Sequence, residues 1–496
     1  MKNKKIIVRF APSPTGPLHI GGVRTVLYNY IFYKKYDGKF ILRIEDTDEL
    51  RYVYNSEKYI VRSLNWLGIK FNHFKGNFFL YKQSNRKYYY DYYILKLIKS
   101  KNAYYAFDTE SDLDNMKNYL KSYGNKSPKY NYITRNMMKN SFTLSFSKKK
   151  IMFSLETSYV IRLKIPSNVF IKFKDLIKGF INVNSSNLDD KVLIKSTGIP
   201  TYHIANVIDD YLMNVTHVIR GDEWLPSMPI HFIIYKYLNF YNYIPEFLHL
   251  PLLLNPNSKG KLSKRLLDKY NISIFPIKWK HNKIIKGYKD VGYLPDALIN
   301  FIFLLGLNSE NLEIFDKDLM INYFSINKIN KSSINFNINK LNWFNQNYIK
   351  KKSDQFIFDF FFILLKDKSI FYNTNLILKI CNLVKSRVFF INDFWNKTFY
   401  FFNTPNFFYY NLLRKKTNAY VSYYLKLFFD ELDLLNSFFF LRIKSILNSF
   451  KSDKFNIVKF VRTLITGSAF GPDLSSIIEV LGKRESLLRL NIFFYF

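Results

Sequence analysis

A single cysteine, Cys381, stands in 496 residues. That excludes an intramolecular disulfide framework and any zinc site built on cysteine clusters. Histidine is scarce as well. His19, His73, His203, His217, His231, His249 and His281 form no HxxxH pair and no close group at metal-ligand spacing, so no structural zinc is expected. Long apolar runs are missing too: FIFDFFFILL is interrupted by Asp359 and falls short of the roughly 20 residues a membrane helix requires. No membrane partner is expected. The first distinctive motif begins at residue 9, which leaves no room for a signal or transit peptide, and a cytoplasmic location is expected.

Arginine is in short supply beside lysine, 16 against 58 in a chain of formal net charge +36. Such an excess suits a polyanion, most simply nucleic acid. A bias toward A and T in the coding sequence would enrich Lys, Asn, Ile, Phe and Tyr whatever the function, so charge alone does not choose between them. The length and the 48% apolar content suit two to four domains with sizeable cores.

Proline and glycine number only 15 and 17, yet RFAPSPTGPLHIGGVR, residues 9–24, holds three of each and one histidine. Before it, KKIIVRF reads as a strand. After it, Val23, Val26, Leu27, Tyr30 and Ile31 recur at helical spacing up to Gly38, a suitable C-cap. KFILRIEDT then reads as a second strand carrying Glu45, Asp46 and Asp48 at its end. Strand, Gly-rich turn, helix and strand make a βαβ unit, whose strand ends bind ligands in doubly wound folds. Residues from about 104 to 185 are mixed and polar and read as an insertion. KVLIKST, YHIANVIDDYLM and VTHVIRGDEW suggest a second α/β segment. LPLLLNPNSKGKLSKR reads as a strand entering a Gly- and Lys-rich loop, and GYLPDALINFIFLLGL as a helix ending at Gly306. Beyond about 340, apolar residues at helical spacing indicate a mostly α-helical second half.

Two stretches can carry chemistry. The rigid Pro-rich loop with Gly21 and Gly22 opens a helix whose N–H groups favour phosphate, and His19 can donate to an oxygen that gains charge in a transition state. The bland alternative is a tight βα turn with an incidental histidine. KLSKR, Lys261 to Arg265, can bring an ammonium onto a pyrophosphate, though alone it is more often a solvated charge run.

Order and spacing separate these readings. PSPTGPLHIGG, RIEDTD, PTYHIANVIDD, VIRGDEWLPS and KLSKR, joined by LDDKVLIKSTGIPTYH, GYLPDALINFIFLLGL, LITGSAFGPDL and LGKRESLLRL, resemble the glutamyl-tRNA synthetases, a group of class I aminoacyl-tRNA synthetases, over nearly the whole chain. His19-Ile20-Gly21-Gly22 is similar to the HIGH signature of that class, with Gly last, and Lys261–Arg265 to its KMSKS signature. Arg9, Arg24, Arg43, Arg51, Arg220 and Arg265 all fall within, or no more than three residues from, these motifs. In a lysine-rich chain, arginines retained together suggest a need for planar, two-pronged donors.

The resemblance implies an α/β fold: a Rossmann-type parallel-sheet catalytic domain, 1–340, with an inserted acceptor-binding subdomain (about 104–185) and a KMSKS-loop and stem-contact region (about 250–340). An all-α anticodon-binding domain, 341–496, would follow. It implies that Arg9, Ala11, Ser13, Glu45, Tyr202, Asn206 and Arg220 bind glutamate, with Glu45 on the α-amino group and Arg220 on the side-chain carboxylate. Pro12, Gly16, His19, Gly21, Gly22, Glu223, Lys261, Leu262, Ser263, Lys264 and Arg265 would bind ATP, which brings Mg²⁺. His19, Lys261 and Lys264 would be catalytic. Glutamate, ATP and tRNA(Glu) are the implied partners of a monomer. The sister glutaminyl-tRNA synthetases carry a β-barrel anticodon half, which the helical pattern here argues against. A catalytically inactive, RNA-binding relative would usually lack HIGG or KLSKR, and both are intact. The chain departs from the family's pattern at Thr197, where Asp is frequent, and in the long basic stretch FPIKWKHNKIIKG.

Overall fold

The computed structural model describes residues 5–72, 81–255, 260, 274–280, 284–309, 312–370, 373–405, 423, 426–430 and 457–495. Apolar side chains make IVRF a largely buried strand, β1 (Ile7–Phe10), which pairs in parallel with β2 (Lys39–Leu42). Between them α1 (Ile20–Lys35) buries Val23, Val26, Leu27 and Ile31, the stripe expected from the spacing. Its exit differs from expectation. The left-handed residue is Asp37, at φ 45°, while Gly38 is needed because a Cβ there would lie 2.6 Å from the Ile6 carbonyl oxygen. β2 also ends earlier than KFILRIEDT suggested, and Ile44 turns instead to bridge Lys82.

The chain continues through α2 (Ser56–Trp66), α3 (Lys87–Lys99), β3 (Ala103–Ala106), α4 (Glu110–Ser122), α5 (Phe146–Ser154) and β4 (Val160–Leu163). Then come β5 (Phe170–Asp175), β6 (Gly179–Asn184), β7 (Val192–Ile194), α6 (Tyr202–Leu212), β8 (His217–Gly221), α7 (Met228–Tyr237) and β9 (Glu246–Leu250). The main sheet has the order β2-β1-β8-β9-β5-β6 and is parallel except for β6. From β1 the chain goes to β2 on one side and later returns to β8 on the other. This reversal opens a crevice at the carboxyl ends of β1 and β8, where doubly wound sheets bind their ligands.

The stretch expected as an insertion divides between two sheets. β3, β4 and β7 form a separate antiparallel sheet, whereas the β5–β6 hairpin extends the main one. KVLIKST therefore belongs to the small sheet rather than to the second α/β segment. A buried ion pair explains the placement. Asp190, just before β7, accepts from Arg135 Nε at 2.6 Å, Arg135 NH2 at 2.8 Å, Tyr104 OH at 2.6 Å and Ile165 N at 3.0 Å. With its carboxylate so fully paired, leaving the small sheet would strand a buried charge.

Residues 289–298 and 338–496 make a second compact unit. Its helices include Ile338–Lys351, Asp354–Asp367, Thr374–Lys385, Ile457–Thr466, Leu474–Leu481 and Lys483–Tyr495, as the pattern beyond residue 340 anticipated. Buried Arg489 donates to Ile465 O at 2.7 Å and to Glu485 Oε1 at 2.8 Å, tying the LITG segment to the LGKRESLLRL helix. Cys381 is buried, and burial pushes its thiol up to about 12, away from reactivity. No helix among the described residues is long and apolar enough to cross a membrane.

Where α6 packs on α7, the rings of His203 and His231 lie 5.5 Å apart. Burial, then Lys191 and Arg220, lower His203 to about 4, and burial with Arg220 puts His231 well below its ordinary value. His217 and His249 shift the same way. The unfolded chain therefore binds protons near pH 6.5 that the native one refuses, so their stabilisation is complete above pH 6.5 and lost as pH falls toward 4. Glu45, whose pKa is raised by burial, opposes this only nearer its own range. The melting temperature should fall from pH 7 to pH 5. His203→Gln should remove about one proton from that dependence, or ~1.4 kcal/mol per pH unit in the unfolding free energy. An unchanged pH slope in the variant would contradict the buried, neutral state of His203.

Candidate active site

The crevice at the ends of β1 and β8 is a cavity of about 520 Å³, within the range of small-molecule sites. Arg9, Ala11, Pro12, Ser13, Gly16, His19, Gly21, Gly22, Glu45, Tyr202, Asn206, Arg220 and Glu223 all line it. Lys261, Leu262, Ser263, Lys264 and Arg265 lie outside the described residues.

One helix face organises one end. Tyr202, Asn206 and Asp210 are spaced by four along α6, so they stack on the same side. Asp210 is buried and accepts from Arg9 Nε at 3.1 Å and from Arg43 NH1 at 2.7 Å. Arg43 in turn donates through NH2 to Glu45 Oε1 at 3.1 Å, and Asn206 Nδ2 donates to the same oxygen at 2.9 Å. The neighbouring Asp209 faces the other way and accepts from Gln83, Arg86 and Tyr90 at 2.7–2.9 Å, which braces the helix against the start of α3.

The electrostatics follow from these contacts. Burial alone would raise Asp210, but Arg9 and Arg43 outweigh it and hold the carboxyl below its ordinary value. Glu45 lacks so full a set of partners, and burial pushes its carboxyl up against the pull of Arg43 and Arg9. An ammonium group arriving beside Glu45 would favour its charged form.

Arg220 is set differently. It is 5% exposed, and its described partners are neutral. Nε donates to His249 Nε2 at 2.9 Å, NH1 to Tyr202 OH at 2.5 Å, and NH2 lies 3.4 Å from Trp224 O. Among the described residues no carboxylate pairs with it. Burial lowers its pKa, with Arg9 adding to the effect, so an anionic ligand would relieve a strained charge. Burial also pushes the Tyr202 phenol up to about 12, which keeps it a neutral hydroxyl. The cavity thus offers a carboxylate, Glu45, near one wall and a guanidinium lacking a counter-ion, Arg220, on another.

At the opening of α1, His19 caps the helix, its Nδ1 accepting from Gly21 N at 3.0 Å. A Cβ on residue 21 would sit 2.8 Å from the imidazole, so Gly21 makes room for the ring as well as for a ligand. With Nδ1 as acceptor, the proton of a neutral ring resides on Nε2, making that atom a donor. The helix terminus is less open than the sequence suggested. The Ile20 amide donates to Ile274 O at 2.9 Å and the Gly21 amide to His19. Those two N–H groups are occupied, which shifts weight onto the imidazole.

Asp210, Asp175 and His249 received no role from the sequence. Asp210 was within reach, since it continues the Tyr202–Asn206 spacing by one further turn. Asp175 and His249 had no local signal, because their meeting depends on β5 and β9 being neighbours.

Comparison with known proteins identifies relatives over both units of the chain. Residues 5–343 match the family model of the class I tRNA synthetases (E and Q), catalytic domain, and residues 356–494 match that of an anticodon binding domain. A glutamate–tRNA ligase of Amoebophilus asiaticus is 43% identical, with 98% of each chain covered. One from Cytophaga hutchinsonii is 42% identical, covering 99% of this chain and 97% of that one. Among solved structures, a glutamate tRNA ligase from Elizabethkingia meningosepticum in complex with its amino acid aligns with a TM-score of 0.90 at 39% identity, over 98% of this chain and 99% of that one. The glutamate-tRNA synthetase of Elizabethkingia anophelis gives 0.89 at 39% identity, over 99% and 100%. With two family models spanning both units and full-length relatives at this level, the chain belongs to the glutamate–tRNA ligase family of class I tRNA synthetases.

Proposed function

We propose that the chain activates L-glutamate with ATP, forming glutamyl-adenylate and pyrophosphate, and transfers glutamate to the 3′-terminal adenosine of tRNA(Glu). The observation that carries this reading is the pairing of Glu45 with a counter-ion-free Arg220 in one cavity. Glu45 suits the α-ammonium group of the amino acid, with Arg9, Ala11, Ser13, Tyr202 and Asn206 around the substrate. Arg220 suits its side-chain carboxylate. Glutamine has the same shape but an amide end, and offers one acceptor and one unwelcome donor to a guanidinium.

ATP fits the His19 end of the cavity, with Pro12, Gly16, Gly21, Gly22 and Glu223 about it. The Lys261–Arg265 loop contributes its ammonium groups to the phosphates. Mg²⁺ is carried by the nucleotide phosphates, as is usual for this ion. No group of three or more His, Cys, Asp or Glu able to hold a metal occurs among the described residues. Catalysis then consists of positioning and charge stabilisation, with the His19 Nε2–H donating to the phosphate oxygen on which charge grows. Residues 1–340 form the catalytic part and 341–496 read the anticodon, in a monomer working in the cytoplasm. The relatives named as glutamate–tRNA ligases and the helical second unit favour this over glutaminyl-tRNA synthesis. Arg9, Glu45, His19 and Arg220 together in the cavity favour an active enzyme over a silent RNA-binding relative.

Three outcomes test this function. His19→Ala should slow amino-acid activation by about 10²–10³ while ATP affinity changes little, measured by pyrophosphate exchange with tRNA present; a near-native rate would remove His19 from the chemistry. Arg220→Gln should narrow the glutamate-to-glutamine preference mainly by harming glutamate, since a missing partner in a buried pair costs about 3–5 kcal/mol. Arg220→Lys should keep the charge but lose the fork. Steady-state kinetics with both amino acids decide it, and an unchanged preference in both variants would transfer the role to Arg9. Finally, tRNA affinity should fall steeply between about 50 and 200 mM salt as counterion release weakens. A flat dependence would place the excess lysines away from the RNA.

A further inference from the structure

Arg220 is held at Nε by His249, and His249 in turn by Asp175; neither His249 nor Asp175 lines the cavity. Arg220, His249 and Asp175 lie side by side near the carboxyl edge of the main sheet, on β8, β9 and β5, which are adjacent strands. Arg220 and His249 are register partners. Asp175 is fully paired. Its Oδ1 accepts from Ile177 N at 2.9 Å and Lys178 N at 2.8 Å, and its Oδ2 accepts from His249 N at 3.1 Å and His249 Nδ1 at 2.7 Å.

With two backbone donors on Oδ1, and one backbone donor and the imidazole on Oδ2, no place is left for a carboxyl proton. Asp175 is therefore ionised, and His249 Nδ1 carries hydrogen. His249 Nε2 faces Arg220 Nε at 2.9 Å. Because a guanidinium can only donate, Nε2 must accept, and the ring must be neutral. A second proton on the ring would set N–H against N–H. The other charged or titratable groups facing the ring, Asp222 beyond β8 and His231 on α7, do not form that contact.

We propose that Asp175 and His249 are positioning residues that lock Arg220 in orientation while leaving its charge uncompensated, and so make the amino-acid pocket a receptor for a carboxylate rather than an amide. The inference rests on Arg220 receiving the substrate's side chain. The contrast with Arg9 shows the logic. Asp210 touches Arg9 directly at 3.1 Å and takes up its charge. Asp175 reaches Arg220 only through a neutral ring, which fixes Nε without supplying an anion at contact distance. Tyr202 fixes NH1 with another neutral group. The guanidinium plane is set from two sides, and its positive charge is kept for the ligand.

Two near-isosteric variants separate this from a merely structural histidine. In His249→Gln the amide oxygen can take the place of Nε2 and accept from Arg220. In His249→Asn the amide reaches Asp175 but leaves Arg220 Nε without its acceptor. His249→Gln should keep the KM for glutamate within about threefold. His249→Asn should raise it about 10–100-fold, the range for losing a hydrogen bond to a charged group. For both, kcat and the KM for ATP should stay near native. Equal effects of the two variants on glutamate KM, or parallel losses in ATP KM, would overturn the proposal. Arg220→Gln is the control for the reading beneath it. If that variant keeps the native amino-acid preference, the pocket assignment fails rather than the relay. ¹⁵N NMR of histidine-labelled native enzyme, with His249 assigned through His249→Gln, provides a measurement independent of folding defects. A neutral ring protonated at Nδ1 down to pH 5 is expected. A proton on Nε2, or titration near pH 6.5, would overturn the relay.

Discussion

The site depends on the buried carboxylate of Asp210. One anion holds two guanidinium groups, Arg9 from β1 and Arg43 from just beyond β2, and Arg43 then holds Glu45. Ion pairs removed from water are sensitive to geometry, and breaking one leaves its partner charged and unpaired. The arrangement therefore fixes the carboxyl ends of β1 and β2 against α6 and determines where positive charge is spent. Arg9 and Arg43 are compensated within the protein, whereas Arg220, which lines the same cavity as Arg9, meets only neutral groups among the described residues. A ligand with an ammonium at one end and a carboxylate at the other meets a complementary surface.

The scaffold makes this possible by topology. The chain leaves β1 in one direction and comes back as β8 on its other side, so the loops after both strands diverge and leave a crevice. The rigid PSPTGP turn and α1 form one wall, with His19 at the helix N-terminus. α6 and the turn after β8 form another. Braces outside the crevice, such as Asp209 with Arg86 and Tyr90, hold α6 from its opposite face. The same helix thus carries cavity-lining side chains and the Asp210 ion pairs on one face and the Asp209 contacts on the other.

Much of this was legible in the sequence, for reasons that vary by residue. The α1 stripe and the helical second half are local periodicities, which a sequence displays directly. Arg9, His19, Glu45, Tyr202, Asn206 and Arg220 stood inside motifs with a recognisable order, and all line one cavity. Asp210 sits on the same helix face as Tyr202 and Asn206 and could have been read from that spacing. The Asp175–His249 contact could not, since it arises from strand order across the sheet. The membership of KVLIKST in the small sheet was hidden for the same reason, as it follows from the Arg135–Asp190 pair. Gly38 was identified as important, but its reason is the close approach of Ile6 rather than a left-handed cap. The occupied amides of Ile20 and Gly21 likewise depend on a distant carbonyl and a side-chain rotamer, neither of which a motif encodes.

The central claim is that charge is divided among the arginines so that Arg220 alone of Arg9, Arg43 and Arg220 awaits its anion from the substrate. The most direct measurement is a crystal structure of this chain grown with glutamate, with tRNA present. The account requires the side-chain carboxylate on the Arg220 guanidinium, the α-ammonium beside Glu45, and the Asp210–Arg9 pair intact. Glutamate lying with its side-chain carboxylate on Arg9, and Arg220 still held only by His249 and Tyr202, would contradict it.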